Sequence, residues 1–165
     1  MYNEEQGNGR VREMRLTLYT DYSLRVLIFL ASKPSDELSN IKEIADAYSI
    51  SKNHLMKVTY ELGKMGVIET IRGRNGGIKL AQSPQDINIG TIVRKTEEDF
   101  HLVECFDAAN NSCIITPVCG LKHVLGKALN AYLSVLDEYT LNDLVRNPLD
   151  YRFLFQEKNE PDRSK

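Results

Sequence analysis

Cys105, Cys113 and Cys119 are the only cysteines in a chain of 165 residues, and their C-x7-C-x5-C spacing confines them to one fifteen-residue window. An odd number of clustered thiols argues against a disulfide framework and toward metal binding or redox chemistry in a reducing compartment. The pattern lacks the paired CxxC knuckles of structural zinc sites. An inorganic iron–sulfur core spans several ångströms and tolerates irregular thiolate spacing, so three thiols on one loop can wrap a cluster whose fourth ligand comes from elsewhere. Cys119 stands just before a helical pattern, where unpaired backbone N–H groups and the helix dipole favour a thiolate. Three alternatives stay open: unrelated, partly buried thiols; a zinc module that only folds the loop; and a thiol enzyme using Cys119 with His101 or His123 nearby. No glycine-rich phosphate loop or pair of carboxylates accompanies the cysteines, so the chain reads as a non-enzyme.

A second set of chemical groups lies upstream. Residues 47–82 carry six basic and two acidic side chains in a chain of net charge −2. One compact basic segment in an acidic chain suggests a local polyanion-binding surface. Within it, Ser51, Asn53, His54 and Lys57 fall near the start of a helical pattern, on the side away from Leu55 and Leu62. Small polar and amide groups in that position suit hydrogen bonding to base edges in a DNA major groove. Lys64, further along, suits phosphate. Arg72 and Arg74 lie in the turn RGRNGG, whose glycines let the backbone approach a duplex and whose arginines suit phosphate or the minor groove. A solvated helix beside a surface hairpin is the bland alternative.

The elements that must hold these groups follow from periodicity. Leu24, Leu27, Ile28 and Ala31 predict a helix over 21–32, capped by Thr20 or Asp21 and followed by Pro34. Asn40 and Glu43 form a candidate capping box for a short helix with Ile41, Ile44, Ala45 and Tyr48 on one face. Ser51 caps a third helix with Leu55, Val58, Leu62 and Met65 inside, ended by Gly66. The alternation at Val67, Ile68, Thr70 and Ile71, the glycine-rich turn, then Ile78 and Leu80 predict a β-hairpin. Two helices, a tight turn and a basic hairpin are the order of a winged helix-turn-helix.

Residues 88–98 read as a linking helix, 99–118 as the cysteine loop, and 120–138 as a long helix. Its positions Leu121, Leu125, Ala128, Tyr132 and Val135 form the a/d seam of a coiled pair. Thr140 and Asp143 form another candidate capping box, and Asn147-Pro148 ends the short helix that follows. The predicted fold is mainly α with a small β-hairpin: a winged helix-turn-helix, then a cysteine cluster loop and a long dimerisation helix. Its divisions are a flexible extension (1–13), a DNA-binding domain (14–82), the linking helix, cluster loop and dimerisation helix (83–146), and a polar tail (147–165). Met14 opens the patterned stretch and is a candidate initiator. No window nears the ~18 apolar residues of a membrane span, and residues 1–13 lack a secretory apolar core, so a cytoplasmic protein without membrane partners is expected.

MRLTLYTDYSLRVLIFLA, SISKNHL and TIRGRNGGIKL resemble the winged-helix Rrf-type family of transcriptional regulators. HLVECF, CIITPVCGLKHVL and YTLNDLV are most similar to its nitric-oxide-sensing iron–sulfur repressors. The resemblance covers about residues 14–146. It implies a homodimer that binds a double-stranded DNA operator and carries an iron–sulfur cluster on each protomer, 4Fe-4S in preference to 2Fe-2S. Cys105, Cys113 and Cys119 match the family's three cysteine ligands. Asp21 matches a carboxylate that completes the site from the opposite protomer, although it also reads as a helix cap. Nitrosylation of the cluster would release DNA and derepress nitrosative-stress genes. The alternative within the family is an iron- or redox-responsive regulator like its iron–sulfur assembly members, from which the seven-residue first spacing departs.

Overall fold

The computed structural model describes residues 15–158, so the N-terminal extension, the candidate initiator Met14 and the last seven residues lie outside the described residues. The elements are α1 (Leu18–Ala31), α2 (Ile41–Tyr48), α3 (Lys52–Lys64), β1 (Ile68–Ile71), β2 (Gly77–Leu80), α4 (Ile89–Thr96), α5 (Gly120–Asp137), α6 (Leu141–Leu144) and α7 (Pro148–Glu157), with short 3-10 turns at Pro84–Asp86, Glu104–Phe106 and Thr116–Val118. This is the mainly helical, winged helix-turn-helix architecture that the periodicity predicts.

The first helix begins earlier than expected. Thr17, rather than Thr20 or Asp21, is its cap, and its hydroxyl accepts from the Thr20 amide at 3.2 Å. Thr20 is wholly buried inside the first turn. The core face of α1 is Val26, Leu27, Phe29 and Leu30, while Leu24, Ile28 and Ala31 are half-buried. That face is wide because α1 packs against α3, α4, α6 and β2 together. The Asn40–Glu43 capping box of α2 is formed in both directions. Leu55, Val58 and Leu62 of α3 are buried as the pattern requires, and Ile44, Ile68, Ile78, Ile92, Val93 and Leu141 close the core.

α3 is capped at its C-terminal end by Met65, and Gly66 follows at φ 70°, a left-handed position that glycine takes without a Cβ penalty. The hairpin pairs Ile68 with Leu80 and Ile71 with Gly77. A third short edge was not legible in the pattern: Ser39 bridges Ile78 through two backbone bonds of 2.9 and 2.8 Å. Gly77 is fixed by that bridge, since a Cβ there would stand 2.8 Å from the Ser39 carbonyl oxygen.

α4 is capped by Asn88, whose side chain also donates to the Asp137 carbonyl at 2.7 Å. Arg94 grips the Asp137 carboxylate with both terminal nitrogens. These bonds join both the first and the last turn of α4 to the end of α5. α5 itself buries no residue fully. The Thr140–Asp143 capping box is present. Asn147-Pro148, read as a terminator, also opens α7 with proline in its first turn, a position where the missing N–H costs nothing. Phe155 of α7 lies 4.9 Å from Phe29 and 5.2 Å from Tyr48, ring centre to ring centre. Residues assigned to the C-terminal tail thus reach the packed core.

Candidate nucleic-acid interface and cysteine loop

Burial of Leu55, Val58, Thr59 and Leu62 turns the opposite side of α3 outward. Ser51, Asn53, His54 and Lys57 are all exposed. Ser51 occupies the cap position but makes no side-chain cap bond. His54 is turned toward α1, its ring 6.0 Å from that of Tyr22, and with Lys57 it lines a small notch whose other walls are Leu18, Tyr19, Tyr22 and Val58. Asn53 and Lys57 therefore stand nearer the centre of the outward face than His54. Pattern reading missed two residues here: Met56 and Tyr60 are apolar yet 44% and 67% exposed. Their signal was their position outside the Leu55–Leu62 stripe.

Arg72 and Arg74 are exposed between β1 and β2, and neither forms an ion pair among the described residues. Lys64 differs. Its ammonium lies 3.1 Å from the Glu61 carboxylate, which raises its pKa, and 5.6 Å over the Tyr60 ring. Lys79 lies 3.8 Å from Glu69.

The three cysteines are free and half-buried. Polar side chains tie the loop between them. Glu104 accepts from both the amide and the hydroxyl of Ser112 at 3.0 Å. Asn111 accepts from the Cys113 amide at 3.1 Å, and Thr116 donates to the Cys113 carbonyl at 2.8 Å. Asp107 accepts from the Asn110 side chain and the Ala109 amide, bonds that hold its carboxyl below the usual range. Cys105 sits in the Glu104–Phe106 turn, and Cys119 is the cap residue of α5, with no side-chain cap bond. Among the described residues, no three His, Cys, Asp or Glu side chains are gathered closely enough to hold a metal ion.

Asp21 lies in the first turn of α1, and its carboxylate meets the Arg25 guanidinium at 3.0 Å. A further link escaped the sequence reading. Glu97, which ends α4 just before the cysteine loop, accepts from the Thr17 amide at 2.9 Å and the Thr17 hydroxyl at 3.1 Å. The base of the loop is thereby fastened to the cap of the helix that carries Asp21.

A recognition helix, a bare basic wing and an appended thiol loop define a winged-helix DNA-binding regulator. The chain belongs to the Rrf2 family of iron-dependent transcriptional regulators, whose pattern spans residues 16–147. It is a transcription regulator and not an enzyme. It is 70% identical over 134 residues to the HTH-type transcriptional regulator NsrR of Bacillus licheniformis, covering 81% of this chain and 94% of that one. It is 68% identical over 145 residues to the protein of the same name from Bacillus subtilis, covering 88% and 99%. Among solved structures it is similar to T. potens IscR, with a TM-score of 0.63, 26% identity, and 81% and 87% of the two chains covered. Among the described residues no helix is long and apolar enough to cross a membrane.

Proposed function

We infer that this chain is a homodimeric cytoplasmic repressor that reads a double-stranded DNA operator and carries an iron–sulfur cluster as its receptor for nitric oxide. The observation that carries this reading is the confinement of three free, half-buried thiols to one hydrogen-bonded loop, fastened through Glu97 and Thr17 to the reading head. Residues 14–82 act as that head and residues 83–146 as the sensing and dimerisation arm.

The donor set suits iron–sulfur chemistry: three thiols with no disulfide, on a loop where Asn111 and Thr116 bond the backbone of Cys113. Cys105, Cys113 and Cys119 would hold the cluster, 4Fe-4S in preference to 2Fe-2S, and Asp21 of the partner subunit would complete it. Such a cluster supplies iron that reacts with nitric oxide. Asp21 is available for exchange, because its present partner is a surface ion pair, worth at most about 1 kcal/mol. As an oxygen donor it would bind iron less firmly than thiolate does and would be the most easily released of the four. Without that link Asp21 would keep only its Arg25 partner, α1 would no longer be tied to the partner's loop, and the paired recognition helices would lose the half-site spacing a dimer needs.

The α5 surface supports the dimer. Leu121, Val124, Tyr132 and Val135 are exposed along one stripe, with Ala128 between them. Leu125, placed in the seam by sequence, is half-buried, and Val124 beside it is exposed.

An iron- or redox-responsive regulator of IscR type is the second reading. Identity of 70% and 68% to proteins named NsrR, against 26% to an IscR, favours the first. The test is purification without oxygen, with the visible spectrum followed during nitric oxide titration and binding to operator-sized DNA measured in parallel. A brown protein whose spectrum changes as DNA is released supports the proposal. A coloured protein indifferent to nitric oxide moves the reading to iron or redox sensing. A colourless protein that binds DNA regardless removes the cluster.

A further inference from the structure

Hydrogen-bonding and charged groups do not account for the whole outward surface of α3. Its inner line is Leu55, Val58, Thr59 and Leu62, and one flank, with His54, turns to Tyr22 of α1. The other flank presents Met56, the fifth residue of the helix, 44% exposed. Leaving a thioether in water forgoes the burial energy that a methionine normally gains. The setting identifies what covers it. Lys52, Asn53 and Lys57 are exposed around it, and the bare Arg72 and Arg74 lie on the wing that follows. A small apolar spot framed by cations and an amide fits a duplex with a phosphate rim better than an apolar protein partner. Within a major groove the C5 methyl of thymine is the apolar group available to it. The place along the helix agrees, because the N-terminal part of a recognition helix is the part that reaches base edges.

We propose that Met56 contacts a thymine methyl in the major groove of the operator and is a specificity-determining residue of this regulator. The proposal rests on the DNA-binding reading above. Tyr60, one turn on and 67% exposed, extends the same surface toward Lys64, whose ammonium lies over its ring. Met56 therefore confers a preference for thymine over an unmethylated pyrimidine at one position in each half-site, while Lys57 and the wing arginines supply affinity that is indifferent to that methyl.

The experiment uses the full chain purified without oxygen. Duplexes enriched by the protein from a random-sequence pool are resynthesised with each thymine singly replaced by uracil, which removes the methyl and nothing else. Wild type is expected to lose about threefold to fivefold in affinity at one thymine in each half-site, the effect of burying one methyl group. Met56→Ala should bind the thymine duplex more weakly by a similar factor and no longer distinguish uracil there. Met56→Leu should keep the discrimination, and the salt dependence of binding should be the same in all three proteins, since no phosphate contact changes. Wild type indifferent to uracil at every position, or Met56→Ala retaining the discrimination, overturns the proposal with DNA binding intact. A pool in which no duplex is enriched overturns the DNA-binding reading and the proposal with it.

Discussion

Among the described residues Arg72 and Arg74 have no ion-pair partner in the turn of the wing, whereas Lys64 is already held by Glu61. A cation with no carboxylate partner can neutralise a phosphate without first breaking a bond. Arg72→Ala or Arg74→Ala should therefore each weaken DNA binding and lower the slope of log affinity against log salt by about one. Lys64→Ala should change that slope less, and fluorescence titrations across a salt series would separate the two classes. Asp21 makes a different prediction. Asp21→Ala removes the ion pair with Arg25 but no buried group, so the protein should fold, while its affinity for a two-half-site operator should fall toward that of the nitric-oxide-treated wild type. The rate at which its visible spectrum responds to nitric oxide should change, and an unaltered rate in stopped-flow absorbance would remove Asp21 from the proposed ligand set. At this scale the placement of the cysteines on one loop and of Arg72 and Arg74 in an exposed turn was legible, because residue type and spacing mark loops and turns. The Asp21–Arg25 pair and the Glu97–Thr17 clasp were not. The second joins residues 80 positions apart, and no local pattern encodes it.

Most elements announced themselves through caps and turn residues, and the exceptions share one cause. The capping boxes at Asn40–Glu43 and Thr140–Asp143, the glycine after α3 and the hairpin all rest on local hydrogen bonds or local φ. The rotated core face of α1, the Ser39 bridge and α7 depend on what packs against them. α7 shows this well, because its proline reads equally as a stop or a start until Phe155 is seen against Phe29 and Tyr48. Phe155→Ala should cost about 2 kcal/mol, less than a fully buried phenylalanine because the ring is half-exposed. For a chain of this length that is a fall of about 5 °C in Tm, measurable by calorimetry. Acid acts on a separate joint. Bonds from the Thr140 amide and hydroxyl hold the Asp143 carboxyl below its usual range. Its folded value is therefore lower than its unfolded one, so the stabilisation is present at neutral pH and is lost as pH falls through the acid range. Asp143→Asn should flatten that part of the stability–pH profile, as followed by circular dichroism.

For the molecule as a whole, the decisive feature is a long helix with too little to pack against. α5 is held to the rest of the chain at its C-terminal end, by Asn88 and by Arg94 on Asp137, and leaves Leu121, Val124, Tyr132 and Val135 in solvent. In the proposed dimer, burying such a stripe against its copy would supply the association energy that a helix alone cannot gain, and would place two winged heads at a fixed separation. Val124→Glu combined with Tyr132→Glu puts two carboxylates per protomer into that seam. Neither residue is buried within the protomer, so each folded head should survive, as the thermal transition would show. Sedimentation should report a monomer. Affinity for a two-half-site duplex should fall by about a hundredfold or more, because the second head loses its effective concentration beside the first. Affinity for a single half-site should be unchanged. The same variant separates the two roles of the dimer: if Asp21 of the partner subunit completes the cluster, the monomer should also lose or alter its visible absorbance, whereas a site closed within one protomer would keep its spectrum while losing only DNA avidity.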